Sequence, residues 1–233
     1  MDSENLLSIR TLECAYFSNA DVVRTLLQQI VLLKDAGQRR VALRDLVAQL
    51  IAAEELEAAV SAARLAPNLT PLWFMNNVDP FLKTELLLAI VDRLLHQQHF
   101  TRATQLLDEA RLCLEDLRVY ERYDLPQEEP WLQLTRRYAQ AGMPVRLSEV
   151  WNQAITWART LEQSSPTYEH TFFQPDEGSY FLARIAQDMA RYGEHERAHL
   201  IAAAIENLGH RATALAWVQA LTVQSPPDLT GCA

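Results

Sequence analysis

Two histidines and a glutamate towards the C-terminal end of the chain have the spacing of a catalytic metal site. His195, Glu196 and His199 lie in the run HERAH. On a helix, residues at i and i+4 share a face, so both imidazoles can hold one zinc ion while the glutamate activates a zinc-bound water. That chemistry would make the chain a zinc-dependent hydrolase. The surroundings argue otherwise. Ala198 falls on a packing stripe, and Ile205 stands where one subtype of the motif carries its third histidine. Glu206 and His210 are near but out of pattern, and the corresponding runs elsewhere in the chain carry no histidine. The expectation is a first-turn helix with solvated imidazoles, no metal, no cofactor and no catalytic residue. His96 and His99, at i and i+3, read as part of a solvated turn, and Cys14 as inert packing. The chain has no phosphate-binding loop of the G-x-x-x-x-G-K type and no G-x-S-x-G nucleophile elbow.

The elements around HERAH explain it better as architecture. The stretch from Tyr180 to Leu208 reads as two short amphipathic helices broken at Gly193. Leu182, Ile185, Ala186 and Met189 form one apolar stripe; Ala198, Ile201, Ala202, Ile205 and Leu208 form the other. Neither helix can bury its stripe alone, so a hairpin of this kind needs neighbours like itself.

Those neighbours precede it. Leu43, Leu46, Val47 and Leu50 pair with Leu56, Ala59, Val60 and Ala63. Leu87, Ile90, Val91 and Leu94 pair with Phe100, Ala103, Leu106, Leu107 and Ala110. Trp131, Leu134 and Tyr138 pair with Leu147, Val150, Trp151, Ala154 and Ile155, with Pro130 opening, Gly142 breaking and Pro144 restarting the hairpin. The equivalent residues Leu43, Leu87, Trp131 and Leu182 recur at intervals of 44, 44 and 51 by subtraction. Upstream, residues 4–17 predict one helix. A second runs from a cap at Ser18 or Asn19 to about Ala36, where Gly37 ends it. A last helix, roughly Arg211 to Val223, turns Ala214, Leu215, Val218 and Leu221 inward as a cap, and residues 225–233 read as a flexible tail.

Composition agrees with helices. About half of the 233 residues are apolar, enough for a sizeable core, and only 6 are glycine. The net charge of -9 argues against nucleic acid or an anionic membrane surface as the main partner, and the pairs Arg39–Arg40 and Arg136–Arg137 are too few to reverse that. No window of 18 uncharged apolar residues exists, so no membrane insertion is expected. MDSENLLSIR lacks a basic region followed by an apolar run, so no secretory leader is expected. Cys14, Cys113 and Cys232 are odd in number and scattered, as reduced thiols of a cytoplasmic protein are.

Regular hairpins at this period mean an all-α solenoid. The chain resembles the tetratricopeptide repeat family. Trp131, Leu134, Tyr138 and Gly142 stand in that family's W-x2-L-x3-Y-x3-G arrangement. Leu182, Ile185, Ala186, Met189, Gly193 and Ala198 keep its degenerate form, and Phe100 and Ala103 match the start of its second helix. The resemblance covers roughly residues 39–222. It departs from the family in its long connectors, Asn68–Pro80, Arg118–Pro130 and Ser164–Gly178.

The expected architecture is a right-handed α-solenoid of about five helix-turn-helix hairpins with a C-terminal capping helix, one domain over 1–224. The expected function is non-enzymatic: a scaffold, adaptor or assembly factor binding a protein or peptide. The alternatives are a peptide-sensing regulatory domain and, remotely, the zinc hydrolase. The resemblance implies a groove lined by the outer side of each first helix: Arg44; Glu85, Asp92 and His96; Arg136 and Gln140; Tyr180, Gln187 and Arg191. A rival surface is the connector edge, which carries Trp73, Phe74, Tyr120, Tyr123, Tyr168, Phe172 and Phe173. Such rings make good interface anchors, or they plug the ends of their own hairpins.

Overall fold

The computed structural model of the chain describes residues 20–33, 35–66, 81–117, 128–163 and 177–224. Ten α-helices and no strand occur among them. They are α1 (Ala20–Leu32), α2 (Ala36–Ala52), α3 (Leu56–Ala63), α4 (Leu82–His96) and α5 (Phe100–Leu117). They continue with α6 (Glu128–Gln140), α7 (Pro144–Gln163), α8 (Glu177–Arg191), α9 (His195–Ala203) and α10 (Leu208–Gln224). The helix expected over 4–17, the tail 225–233 and all seven connector aromatics lie outside the described residues. The chain divides into two compact units, 1–121 and 122–233.

Four hairpins, α2–α3, α4–α5, α6–α7 and α8–α9, turn in the same way. Each first helix ends in a Schellman motif, in which two N–H groups beyond the helix reach back to carbonyls of its last turn. Glu55 N–H donates to Leu50 O and Glu54 N–H to Ile51 O. The same pair of bonds is made by His99 and Gln98, by Met143 and Gly142, and by Glu194 and Gly193. The motif places one residue in the left-handed region. These are Glu54 (φ 64°), Gln98 (φ 61°), Gly142 (φ 67°) and Gly193 (φ 87°), again 44, 44 and 51 residues apart. Two of the four are not glycine, so the geometry is imposed by the hairpin and not only by an obliging residue.

In the first unit, α2–α3 and α4–α5 lie against each other with α1 beside them. The core is the set of apolar stripes: Leu46, Leu50, Val60, Leu87, Ile90 and Leu106 are all essentially inaccessible. In the second unit α8 is central. It packs on α7, α9 and α10, and ten of its fifteen residues are buried. Trp131, Tyr138, Trp151 and Phe181 fill the space around it. These rings bury the most area per residue, and their close fit is what fixes one helix on the next.

Four boundaries and two burials differ from the sequence reading. Gly37 does not end a helix. The chain breaks after Leu32, Asp35 caps α2 by accepting from Gln38 N–H at 2.7 Å, and Gly37 sits in the first turn of α2. Glu128, Glu129 and Pro130, read as connector, are the first turn of α6, and Glu177 and Gly178 that of α8. A proline fits there because its missing N–H has no intrahelical partner to lose. The second helix of the fourth hairpin stops at Ala203; Leu208 begins α10 and is exposed. Phe100, read as inward, is also largely exposed, since it is the first residue of α5 and lies beyond the stripe of its neighbours.

Candidate functional site

The nine groove candidates divide between the units. In the first, Arg44 of α2 and Glu85 of α4 form an ion pair with each other, so these two first helices present neighbouring faces. Asp92 and His96 lie on α4, exposed. In the second, Gln140 and Arg191 are exposed, while Arg136, Tyr180 and Gln187 are half-buried. Tyr180 meets the edge of the His210 ring at 5.7 Å, and its hydroxyl accepts from Arg184 at 3.0 Å. It therefore serves partly as packing between α8 and α10.

Charged residues between the hairpins of the first unit form a ladder that the sequence reading missed. Arg102 of α5 donates to both carboxylate oxygens of Glu57 on α3, at 2.9 and 2.6 Å. Arg64, just after α3, takes Glu109 of α5 in the same two-pronged way, and Lys83 stands 3.5 Å from that carboxylate. Arg93 of α4 pairs with Glu54 in the preceding turn. The Arg64 guanidinium, then the Coulombic pull of Arg64 and Lys83, hold Glu109 below its ordinary value against the opposing effect of burial. The same contact raises Arg64. Forked arginine–carboxylate pairs of this kind add geometric specificity to helix stacking.

HERAH belongs to this system. Arg197 donates to Ser148 Oγ at 2.9 Å and to the Asn152 side chain, both on α7. Arg197 immediately precedes the buried Ala198, as Arg102 immediately precedes the buried Ala103. In each case the arginine reaches the second helix of the preceding hairpin, over the place where a small alanine lets the helices close. Arg146 holds the equivalent place before Leu147 and pairs with Glu149 on its own helix at 2.9 Å. The signal in the sequence was Arg-Ala, Arg-Leu and Arg-Ala at the repeat interval. Of the histidines, His195 is half-buried with Nδ1 3.2 Å from Thr222 Oγ1 of α10, while Glu196 and His199 are exposed. No group of three or more potential metal ligands occurs among the described residues. His96 and His99 flank the turn at Gln98 and are exposed.

The second unit also holds a buried polar cluster. Asp188 of α8 places Oδ2 2.6 Å from Thr135 Oγ1 on α6 and accepts the Trp151 indole N–H of α7 at 3.1 Å. Burial raises Asp188 above the ordinary aspartate value; the Thr135 and Trp151 bonds and the positive charges of Arg136 and Arg191 oppose the rise without cancelling it. Tyr192, whose ring is 6.3 Å from that of Trp151, is raised as well, first by burial and then by the charge of Asp188.

Comparison with known protein families, with curated proteins and with solved structures gives no match. No helix among the described residues is long and apolar enough to cross a membrane.

Proposed function

We propose that the chain is a right-handed solenoid of the tetratricopeptide-repeat kind that works as a non-enzymatic protein–protein scaffold, adaptor or assembly factor. One observation carries the reading. Four hairpins turn through the same hydrogen-bonded motif at intervals of 44, 44 and 51, and within each unit they lie side by side. Stacked hairpins of this kind spend their apolar surface on one another and leave a row of first-helix faces for a partner. The mixed charge on the first-helix faces of each unit, Arg44, Glu85 and Asp92 in the first and Arg136 and Arg191 in the second, suits a polar or mixed peptide segment over a phosphate backbone. The net charge of -9 favours the same choice.

The test is a tagged pull-down from native lysate with cross-linking, run on the wild type and two sets of variants. The first set changes the first-helix row: Asp92→Arg with His96→Glu, and Gln140→Glu with Arg191→Glu. The second removes connector rings: Trp73→Ala with Phe74→Ala, and Phe172→Ala with Phe173→Ala. Loss of a cross-linked partner from one set, with helical circular dichroism unchanged, identifies the surface. Equal recovery of the same partners by every folded variant would defeat the proposal.

A further inference from the structure

Asp188 is a buried acid. It is 3 % exposed, and it is the only carboxylic acid among the buried residues described. Its Oδ1 is buried without a hydrogen-bond partner, while Oδ2 takes every contact the residue makes. A lone carboxylate oxygen in that position is expensive when charged and tolerable when neutral.

The hydrogens of the cluster point the same way. Thr135 has one hydroxyl hydrogen and two oxygens within reach: Leu132 O at 2.9 Å in its own helix, and Asp188 Oδ2 at 2.6 Å. When the threonine gives its hydrogen to Leu132, the shorter contact needs a hydrogen from the aspartic acid. The neutral acid supplies it, and the chain from Asp188 through Thr135 to Leu132 is complete. When Asp188 is ionised, the threonine must turn to it, and Oδ1 is left holding charge with nothing to donate to it.

We propose that Asp188 is a proton-operated latch between the third and fourth hairpins: the neutral acid ties α8 to α6 and α7, and loss of its proton places a bare charge between them and loosens their packing. The charged groups that bear on Asp188 are Arg136 of α6 and Arg191 of its own helix, with Tyr192 the third titratable neighbour. On the other packed helices the ionisable groups are engaged elsewhere or exposed. On α7, Arg146 pairs with Glu149 and Arg159 is exposed. On α9, Arg197 reaches Ser148, His195 meets Thr222, and Glu196 and His199 are exposed. On α10, Arg211 donates to Ile205 O and His210 faces Tyr180.

The sign follows from proton counting. Between the ordinary aspartate value of 3.8 and the raised value in the fold, the folded chain holds a proton that the unfolded chain has lost. Stability is therefore full below 3.8 and declines as pH rises towards and through the raised value. The test uses the full chain with its tryptophans labelled with nitrogen-15, the Trp151 indole being assigned by its disappearance in Trp151→Phe. Its N–H donates to the latch, so in the wild type it moves with pH along one curve centred above 3.8. In Asp188→Asn it does not move on that curve. The melting temperature of Asp188→Asn gains on the wild type as pH rises across the same interval. A Trp151 indole signal that stays still from about pH 4 to about pH 8 overturns the proposal, as do parallel stability curves. Should Asp188→Asn not fold, the wild-type indole titration decides alone.

Discussion

Gln98 and Gly142 occupy the same position in successive hairpin turns, and exchanging their residue types should move stability in opposite directions. Both lie in the left-handed region, with φ of 61° and 67°. A side chain there meets its own carbonyl and costs about 1–2 kcal/mol relative to glycine. Glycine in turn adds freedom to the unfolded chain, worth about 0.4–1 kcal/mol against the fold. The difference leaves roughly 1 kcal/mol in favour of glycine at either site. Sterics add nothing at Gly142, where a new Cβ would meet no atom within 4 Å. Gln98→Gly is thus expected to stabilise and Gly142→Ala to destabilise by about that amount, some 2–4 °C in melting temperature for a chain of this length. Glu54→Gly serves as the control. Glu54 pairs with Arg93 and bonds Gln97, so relief of the backbone is offset by the loss of a surface pair worth up to about 1 kcal/mol. Its net effect should lie near zero. Urea unfolding at constant slope reads all three. The reasoning fails if Gln98→Gly lowers the midpoint, or if Gly142→Ala leaves it where it was.

Other perturbations test the packing and the ladder. Leu46 is fully buried in the first unit, and Leu46→Ala should cost about 2–5 kcal/mol, read as a lower denaturant midpoint. Trp151→Phe withdraws the N–H that Asp188 accepts and leaves a cavity where the second ring was, so both losses add. About 1–3 kcal/mol is expected from the lost bond alone, measured at a pH where the acid is ionised. Glu109 is held below its ordinary value of 4.5, so its contribution is present above that value and disappears as pH falls through the depressed one. Glu109→Gln should therefore separate from the wild type at neutral pH and merge with it on the acid side in thermal melts across pH.

Much of this fold can be read from spacing, because a helix that buries one stripe repeats its apolar residues every three or four positions. Leu43 to Leu50, Leu87 to Leu94 and Trp131 to Tyr138 were legible for that reason, and their burial follows it. The boundary at Asp35 carried a signal that a nearby glycine masked: Asp35 and Gln38 stand at the two ends of a capping pattern, D-x-x-Q. Leu208 was misread because a stripe pattern continues across a break that only backbone geometry reveals at Ala204. The Asp188 cluster is different in kind. Thr135, Trp151 and Asp188 are 16 and 37 residues apart by subtraction, on three helices, and nothing local links them. Asp188 sits between Gln187 and Met189, and whether a polar residue there faces water or the interior depends on how many neighbours surround the helix. For α8 that number is set by the tertiary fold. The groove residues show the same limit: Tyr180 and Arg44 have the right spacing for an outer face, yet each is already engaged with a residue far away in sequence.

The arginines before Ala103 and Ala198 give the arrangement a sense of direction. Each reaches towards lower residue numbers, to Glu57 in one case and to Ser148 and Asn152 in the other. A hairpin transplanted out of order would carry its guanidinium to a neighbour lacking the matching acceptor. The hairpins are consequently not interchangeable bricks, and their sequence of assembly is written into who grasps whom.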